Sequence, residues 1–244
     1  MQITKQIPNT ITLLNLIAGA IAIVFAVEGQ LEQAAWMIAL AAVFDFLDGF
    51  AARMLKVTSE VGKELDSLAD VISFGLAPGM ILFSMLSNTN TCPEMDIAGR
   101  NIVPFVAFLI PAFSAYRLAK FNLDTRQTES FIGLPTPANA LLIASFPLIV
   151  NQGENYLGIN MEIFANVITH AGFLFPFIFL FSWLLIAEIP LMSLKFKSFK
   201  WGDNKIRYGF LISSLLLFII FLYLSVPLII LLYLVLSFLG NKGK

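Results

Sequence analysis

FDFLDGFAARMLKVTSEVGKELDSLAD, residues 44–70, sets four aspartates into a chain that is otherwise oily. Asp45 and Asp48 stand three residues apart, and Asp66 and Asp70 four apart. On helices, each pair shares one face. A carboxylate at membrane depth costs roughly 2.5–3.5 kcal/mol on insertion scales, and four together repel one another strongly where screening is poor. A chain that keeps them must balance their charge. Hard oxygen ligands of this kind suit Mg²⁺ or Mn²⁺, so a pair of divalent cations is the expected counter-charge.

Composition makes this a membrane protein. Of its 244 residues, 58% are hydrophobic and only 13% charged, against about 25% charged in soluble domains. The net charge of −1 and the lack of a basic block give no footing for nucleic acid. One cysteine, Cys92, excludes a disulfide within the chain and a CxxC metal site, and the lone His170 argues against histidine-based zinc chemistry. The first apolar run, residues 11–27, reads as a span and not as a cleaved leader.

Apolar runs at 11–27, 32–52, 67–87, 101–119, 134–150, 170–190, 207–223 and 226–240 predict about eight transmembrane helices. They form an all-α polytopic bundle, because backbone groups in lipid must be satisfied within the segment. The cations test that count. Lys5, the group Arg53, Lys56 and Lys63, the group Arg117, Lys120 and Arg126, the stretch from Lys195 to Arg207, and Lys242 with Lys244 all fall on one side. Only Arg100 falls on the other. The positive-inside rule then places both termini and the aspartates in the cytoplasm. The basic, aromatic KFKSFKWGDNK (195–205) reads as a stretch lying on the anionic leaflet. The polar FNLDTRQTESFIGLPTPANA (121–140) reads as an ordered loop that enters span five through Pro135 and Pro137.

Within residues 44–70, Gly62, Lys63 and Ser59 allow a turn between two antiparallel helices, so the two carboxylate pairs can meet. Four carboxylates around two ions about 3.5–4 Å apart suit in-line phosphoryl displacement. Gly49 and Ala52 remove bulk where a ligand must approach, and Arg53 can grip a phosphate. Each aspartate has a plainer reading, as a helix cap or the partner of a lysine, and Asp66 before SLADVISF is placed as an N-cap would be. All four at this spacing are not explained that way.

The pattern D-x2-D-G-x2-A-R-x8-G-x3-D-x3-D is met by Asp45, Asp48, Gly49, Ala52, Arg53, Gly62, Asp66 and Asp70. It resembles the signature of the CDP-alcohol phosphatidyltransferases. The resemblance implies replacement of the CMP of a CDP-linked lipid by an alcohol, through direct attack on phosphorus. It implies that Asp45 and Asp66 bridge two ions, Asp48 binds the first and Asp70 the second, with Asp70 also the general base. Gly49 and Arg53 would contact the CDP group, with Ser59 at a phosphate and Asn9 at the cytidine end. The segments IPNTITLLNLIAG (7–19), KELDSLADVISFGLAPG (63–79), AYRLAKFN (115–122) and GLPTPANA (133–140) resemble the membrane-spanning phosphatidylserine synthases. CDP-diacylglycerol and L-serine are then the implied substrates, and a homodimer the implied assembly. Lys120 departs from the arginine more common in that group.

Serine presents a carboxylate and an ammonium beside its hydroxyl. Arg117 and Lys120 are the candidates for the carboxylate or a lipid phosphate, with Asn122 as a hydrogen-bonding neighbour and Thr136 and Asn139 as polar liners. Other acceptors, glycerol 3-phosphate or an inositol phosphate, would want more converging cations than these two. A cation transporter would be expected to show related halves and broken spans, which this sequence does not, and a scaffold gives no reason to keep four acids. The expected organisation is one membrane domain over 1–244, with a core at about 1–190 and an additional helix pair at about 207–240 that has no assigned chemistry.

Overall fold

The computed structural model describes residues 2–57, 59–123, 131–152, 155–156, 158–192 and 201–241. Helices α1 (Gln2–Val27) and α2 (Leu31–Leu55) form an antiparallel pair joined at Gly29, whose φ of 77° a side chain would strain. They pack along their length through small residues. Ala18, Ala22 and Ala26 of α1 and Ala34, Ala35 and Ala41 of α2 are all buried, which lets the backbones approach closely where no hydrophobic force separates protein from lipid.

α2 stops at Lys56, which takes the left-handed conformation at φ 50° and returns its N–H to Arg53 O at 3.3 Å. Ser59 then caps α3 (Glu60–Asp70) by accepting the Gly62 N–H at 3.2 Å. α3 runs without a break through a π-helical turn, Val71–Leu76, into α4 (Ala77–Asn88). Two neighbours press on that turn. A Cβ on Gly19 of α1 would lie 2.5 Å from Ser73 Cα, and one on Gly75 would lie 3.2 Å from Ser114 Cβ. Such π turns are frequent at functional sites, and Asp70 is the residue that opens this one.

Beyond a two-residue hairpin (β1, Asp96–Ile97; β2, Arg100–Asn101), a 3₁₀ turn leads into α5 (Leu109–Leu123). The short strand β3 (Phe131–Ile132) precedes α6 (Thr136–Val150). A second small hairpin (β4, Asn155–Tyr156; β5, Ile159–Asn160) leads to α7 (Met161–Thr169), α8 (Ala171–Ile186) and β6 (Pro190–Leu191). β6 pairs antiparallel with β3. The chain closes with α9 (Trp201–Phe221) and α10 (Ser225–Asn241). Residues 126 and 195–200, which carry part of the cation pattern and most of the basic stretch, lie outside the described residues.

The protein is therefore an all-α polytopic membrane protein. Its spans differ in detail from the eight expected. Among the described residues, five helical stretches are long and apolar enough to cross a membrane, or six if α7 and α8, bent by 68°, count as one. α6 is only 15 residues long and largely buried, so protein and not lipid covers it. Asn204–Phe238 passes as one apolar stretch, but it folds back on itself: the rings of Phe210 and Tyr233 lie 5.8 Å apart. The turn is made of Phe221, Leu222, Tyr223 and Leu224, with no polar residue to mark it.

The close contact at Gly19 carries a prediction. Gly19→Ala would overpack backbone against backbone, at a cost of roughly 1–3 kcal/mol, and should lower the thermal midpoint in detergent. Gly209→Ala, where a Cβ meets nothing within 4 Å, should leave it unchanged or raised. A ligand-free melting curve for each variant decides the point.

Candidate active site

The stop of α2 at Lys56 and the start of α3 at Ser59 turn the chain so that the two carboxylate pairs face each other. One oxygen from each of Asp45, Asp48 and Asp66 lies within 4.8 Å of the others. Asp70 stands beside this trio, in electrostatic range of Asp45 and Asp66. Asp48 and Asp70 are 6% and 7% exposed, so neither has bulk water to screen it.

Helix α1 orients both buried acids. Thr12 Oγ1 donates to Asp48 Oδ2 at 2.6 Å, and Asn15 Nδ2 donates to Asp70 Oδ1 at 3.2 Å. Charge-assisted bonds of this kind fix a carboxylate more firmly than neutral ones. Neither Thr12 nor Asn15 is among the residues expected from the sequence, where only Asn9 of this helix stands out. The signal is present nonetheless: Asn9, Thr12 and Asn15 recur every three residues, a polar stripe on one face as the helix turns apolar.

The cluster has the chemistry of a cation site. Among the described residues, no lysine or arginine lies within ion-pair distance of any of the four aspartates. Asp66 Oδ1 is buried with no hydrogen-bond partner, and a buried carboxylate oxygen without a partner is costly. Hard, unpaired carboxylate oxygens at this separation fit Mg²⁺- or Mn²⁺-type ions.

Beside the acids opens a cavity of about 860 Å³, bordered by Asn9, Thr12, Asp48, Gly49, Ser59 and Asp66. Gly49 and Gly62 keep it clear. A Cβ on Gly62 would meet Asn9 Oδ1 at 2.8 Å, and one on Gly49 would meet the exposed Arg53 guanidinium at 3.3 Å. Arg53 thus lies over Gly49, with its side chain exposed. The Ser59 hydroxyl faces the cavity but also serves as the cap of α3.

Arg117 lies on the other side of Asp70. It is 7% exposed, in electrostatic range of Asp70, and its Nη1 donates to Thr136 Oγ1 at 3.4 Å, while its Nε has no partner. Asn139, one turn further along α6, is fully buried with both side-chain polar atoms unpartnered. Lys120 and Asn122 are occupied elsewhere. Lys120 Nζ pairs with Glu188 at 2.7 Å on the surface. Asn122 Nδ2 donates to Ser67 Oγ at 2.8 Å, and its carbonyl accepts from Lys63 Nζ at 3.0 Å. Of the three candidates for the acceptor, Arg117 is the one that points inward.

A polytopic helical membrane protein with an acidic cluster of this kind beside a roomy cavity has the parts to hold a cation next to a bound ligand. Comparison with known proteins gives its class. The profile of the family "CDP-alcohol phosphatidyltransferase" matches residues 5–177, and the chain belongs to that family. It is 36% identical over 169 residues, 68% of each chain, to "CDP-diacylglycerol--serine O-phosphatidyltransferase" of Helicobacter pylori. It is 33% identical over 180 residues to the Bacillus subtilis protein of the same name, covering 69% of this chain and 94% of that one. It is also 36% identical over 147 residues, 58% of each, to "Archaetidylserine synthase" of Methanothermobacter thermautotrophicus.

Thr12→Val keeps the shape of the side chain and removes the donor to Asp48. Loss of such an orienting bond typically costs 10–100-fold in metal affinity, so the variant should need about tenfold more Mn²⁺ for half-maximal binding. Titration of the purified protein with Mn²⁺ measures it directly.

Proposed function

We propose that the chain transfers the phosphatidyl group of CDP-diacylglycerol to the hydroxyl of L-serine, giving phosphatidylserine and CMP. The observation that carries this reading is the convergence of Asp45, Asp48 and Asp66, with Asp70 beside them, on the family's signature spacing and at the edge of a cavity. The serine half of the reading comes from the names of the relatives.

In this reading the donor's CDP group lies in the cavity, with its phosphates between Gly49, Arg53 and Ser59 and its base towards Asn9. Two divalent ions, Mg²⁺ or Mn²⁺, held by Asp45, Asp48, Asp66 and Asp70, would neutralise the diphosphate and make CMP a better leaving group. Asp70 accepts the proton of the seryl hydroxyl as its oxygen bonds to the lipid-bearing phosphorus. The bond from that phosphorus to the CMP oxygen breaks, and CMP leaves with the electron pair. Asn15 holds Asp70 in place for that transfer. Arg117, buried and with Nε unpartnered, takes the serine carboxylate. Lys120 and Asn122 frame this end from the surface. The site faces the cytoplasm, as the cation distribution argues, and the chain works in the bilayer as a homodimer.

Purified protein given CDP-diacylglycerol, Mn²⁺ and labelled serine should release CMP and form a labelled lipid. Asp70→Asn should cut the rate by roughly 10²–10⁴-fold while folding normally. Turnover with glycerol 3-phosphate and none with serine would overturn the acceptor, and a near-normal rate for Asp70→Asn would remove it as the base.

A further inference from the structure

The helix pair α9–α10 begins beyond residue 177, where the family match ends, yet it is not a loose appendage. Leu224 at its turn is buried in the main core, and Tyr223 sets its ring edge-on against Trp36 of α2 at 6.0 Å. A second, smaller apolar cluster joins Phe210 and Tyr233 to Leu191, with Ile189 and Met192 packed against it. The pair is therefore seated on the segment that ends in β6.

Two of its hydrogen bonds reach one residue of that segment. Tyr233 Oη donates to the Met192 carbonyl at 3.0 Å, and the Met192 N–H donates to Ser237 Oγ at 3.0 Å. Both backbone groups of Met192 are thus held by α10, four residues apart and so on one helix face. Met192 directly follows β6, and β6 pairs with β3. From β3 to Thr136 the chain has little slack. The Gly133 N–H donates to Ile189 O at 3.0 Å, and the Leu134 N–H donates to Leu184 O at 2.9 Å. Gly133 sits at φ 74°, where a Cβ would strike Leu185 O at 2.7 Å. Thr136 in turn holds the Arg117 guanidinium, and Tyr233 itself lies in electrostatic range of Arg117.

We propose that the C-terminal helix pair positions the acceptor end of the active site: Tyr233 and Ser237 grip Met192 and, through the β6–β3 ribbon, fix Thr136 and Arg117. Tyr233 and Ser237 are positioning residues that touch no substrate. The proposal rests on the reading of Arg117 as the contact for the acceptor's carboxylate. The donor cavity, bordered by α1, α2 and α3, lies outside this relay, so the two substrates should respond differently when the grip is released.

The test is steady-state CMP release by full-length protein, with serine and CDP-diacylglycerol varied separately. Loss of one or two neutral hydrogen bonds in Tyr233→Phe/Ser237→Ala should raise KM for serine roughly 3- to 10-fold and leave KM for CDP-diacylglycerol within about twofold of wild type. Ser237→Thr, which keeps the hydroxyl, should restore the serine KM. An unchanged serine KM in the folded double variant overturns the proposal, and so does a parallel rise in both KM values. If the double variant does not accumulate, Ser237→Ala alone carries the same comparison. Amide exchange in the wild-type protein gives a further check: a Met192 N–H exchanging as fast as in an unstructured peptide would show that no grip exists. Should wild-type protein ignore serine and use another alcohol, the substrate reading falls. The same KM comparison with that alcohol then still judges the relay.

Discussion

Four clustered carboxylates with no cation at ion-pair distance among the described residues set the terms for the rest of this protein. Their mutual repulsion is poorly screened, because Asp48 and Asp70 are buried and no lysine or arginine among the described residues reaches ion-pair distance of the four. Left alone, such a cluster would push α2 and α3 apart. It is held by hydrogen bonds from Thr12 and Asn15 on α1 and by the tight turn at Lys56 and Ser59. What those contacts cannot do is neutralise the charge. That remaining need suits the site to divalent ions, and in the proposed reading it links the stability of this corner of the fold to its chemistry.

The scaffold around the site is rigid where it must be and open where substrates enter. Alanines on α1 and α2 bring the two backbones together, and Gly19 seats α1 on the π-helical turn that Asp70 opens. α5 leans on the other side of the same turn through Ser114. The acids and Arg117 therefore sit on three helices that share one contact region. Beside the acids, Gly49 and Gly62 leave a cavity whose lining includes Lys63, and the exposed Arg53 lies over Gly49. Arg117 is buried and Arg53 exposed, a difference that in the proposed reaction would suit fixed recognition of a small acceptor and adaptable grip on a diphosphate.

Much of this was legible in the sequence because membrane proteins punctuate themselves. Apolar runs separated by cations mark the helices, and acids inside such runs mark the site. The eight-position spacing from Asp45 to Asp70 pointed to the family that the comparison bears out. Thr12 and Asn15 were harder to see, since a threonine or asparagine in an apolar helix is ordinary until its partner is known, and their partners lie 36 and 55 residues away. Lys120 and Arg117 look alike as neighbouring cations three residues apart. Only the packing of α5 shows that one points inward and the other meets Glu188 at the surface. The turn at residues 222–224 falls where the runs at 207–223 and 226–240 meet, as the sequence indicates, whereas α7 and its bend into α8 at His170 escaped a reading that began that span at residue 170.

The central claim is that these carboxylates hold a pair of divalent ions. Electron paramagnetic resonance of purified wild-type protein equilibrated with Mn²⁺ tests it without relying on turnover. The account predicts two bound ions per chain with a spin-coupled spectrum, as expected for a separation of about 3.5–4 Å, and loss of the coupling in Asp66→Asn. A single isolated Mn²⁺ signal that persists in Asp66→Asn, or no tight binding at all, would contradict it.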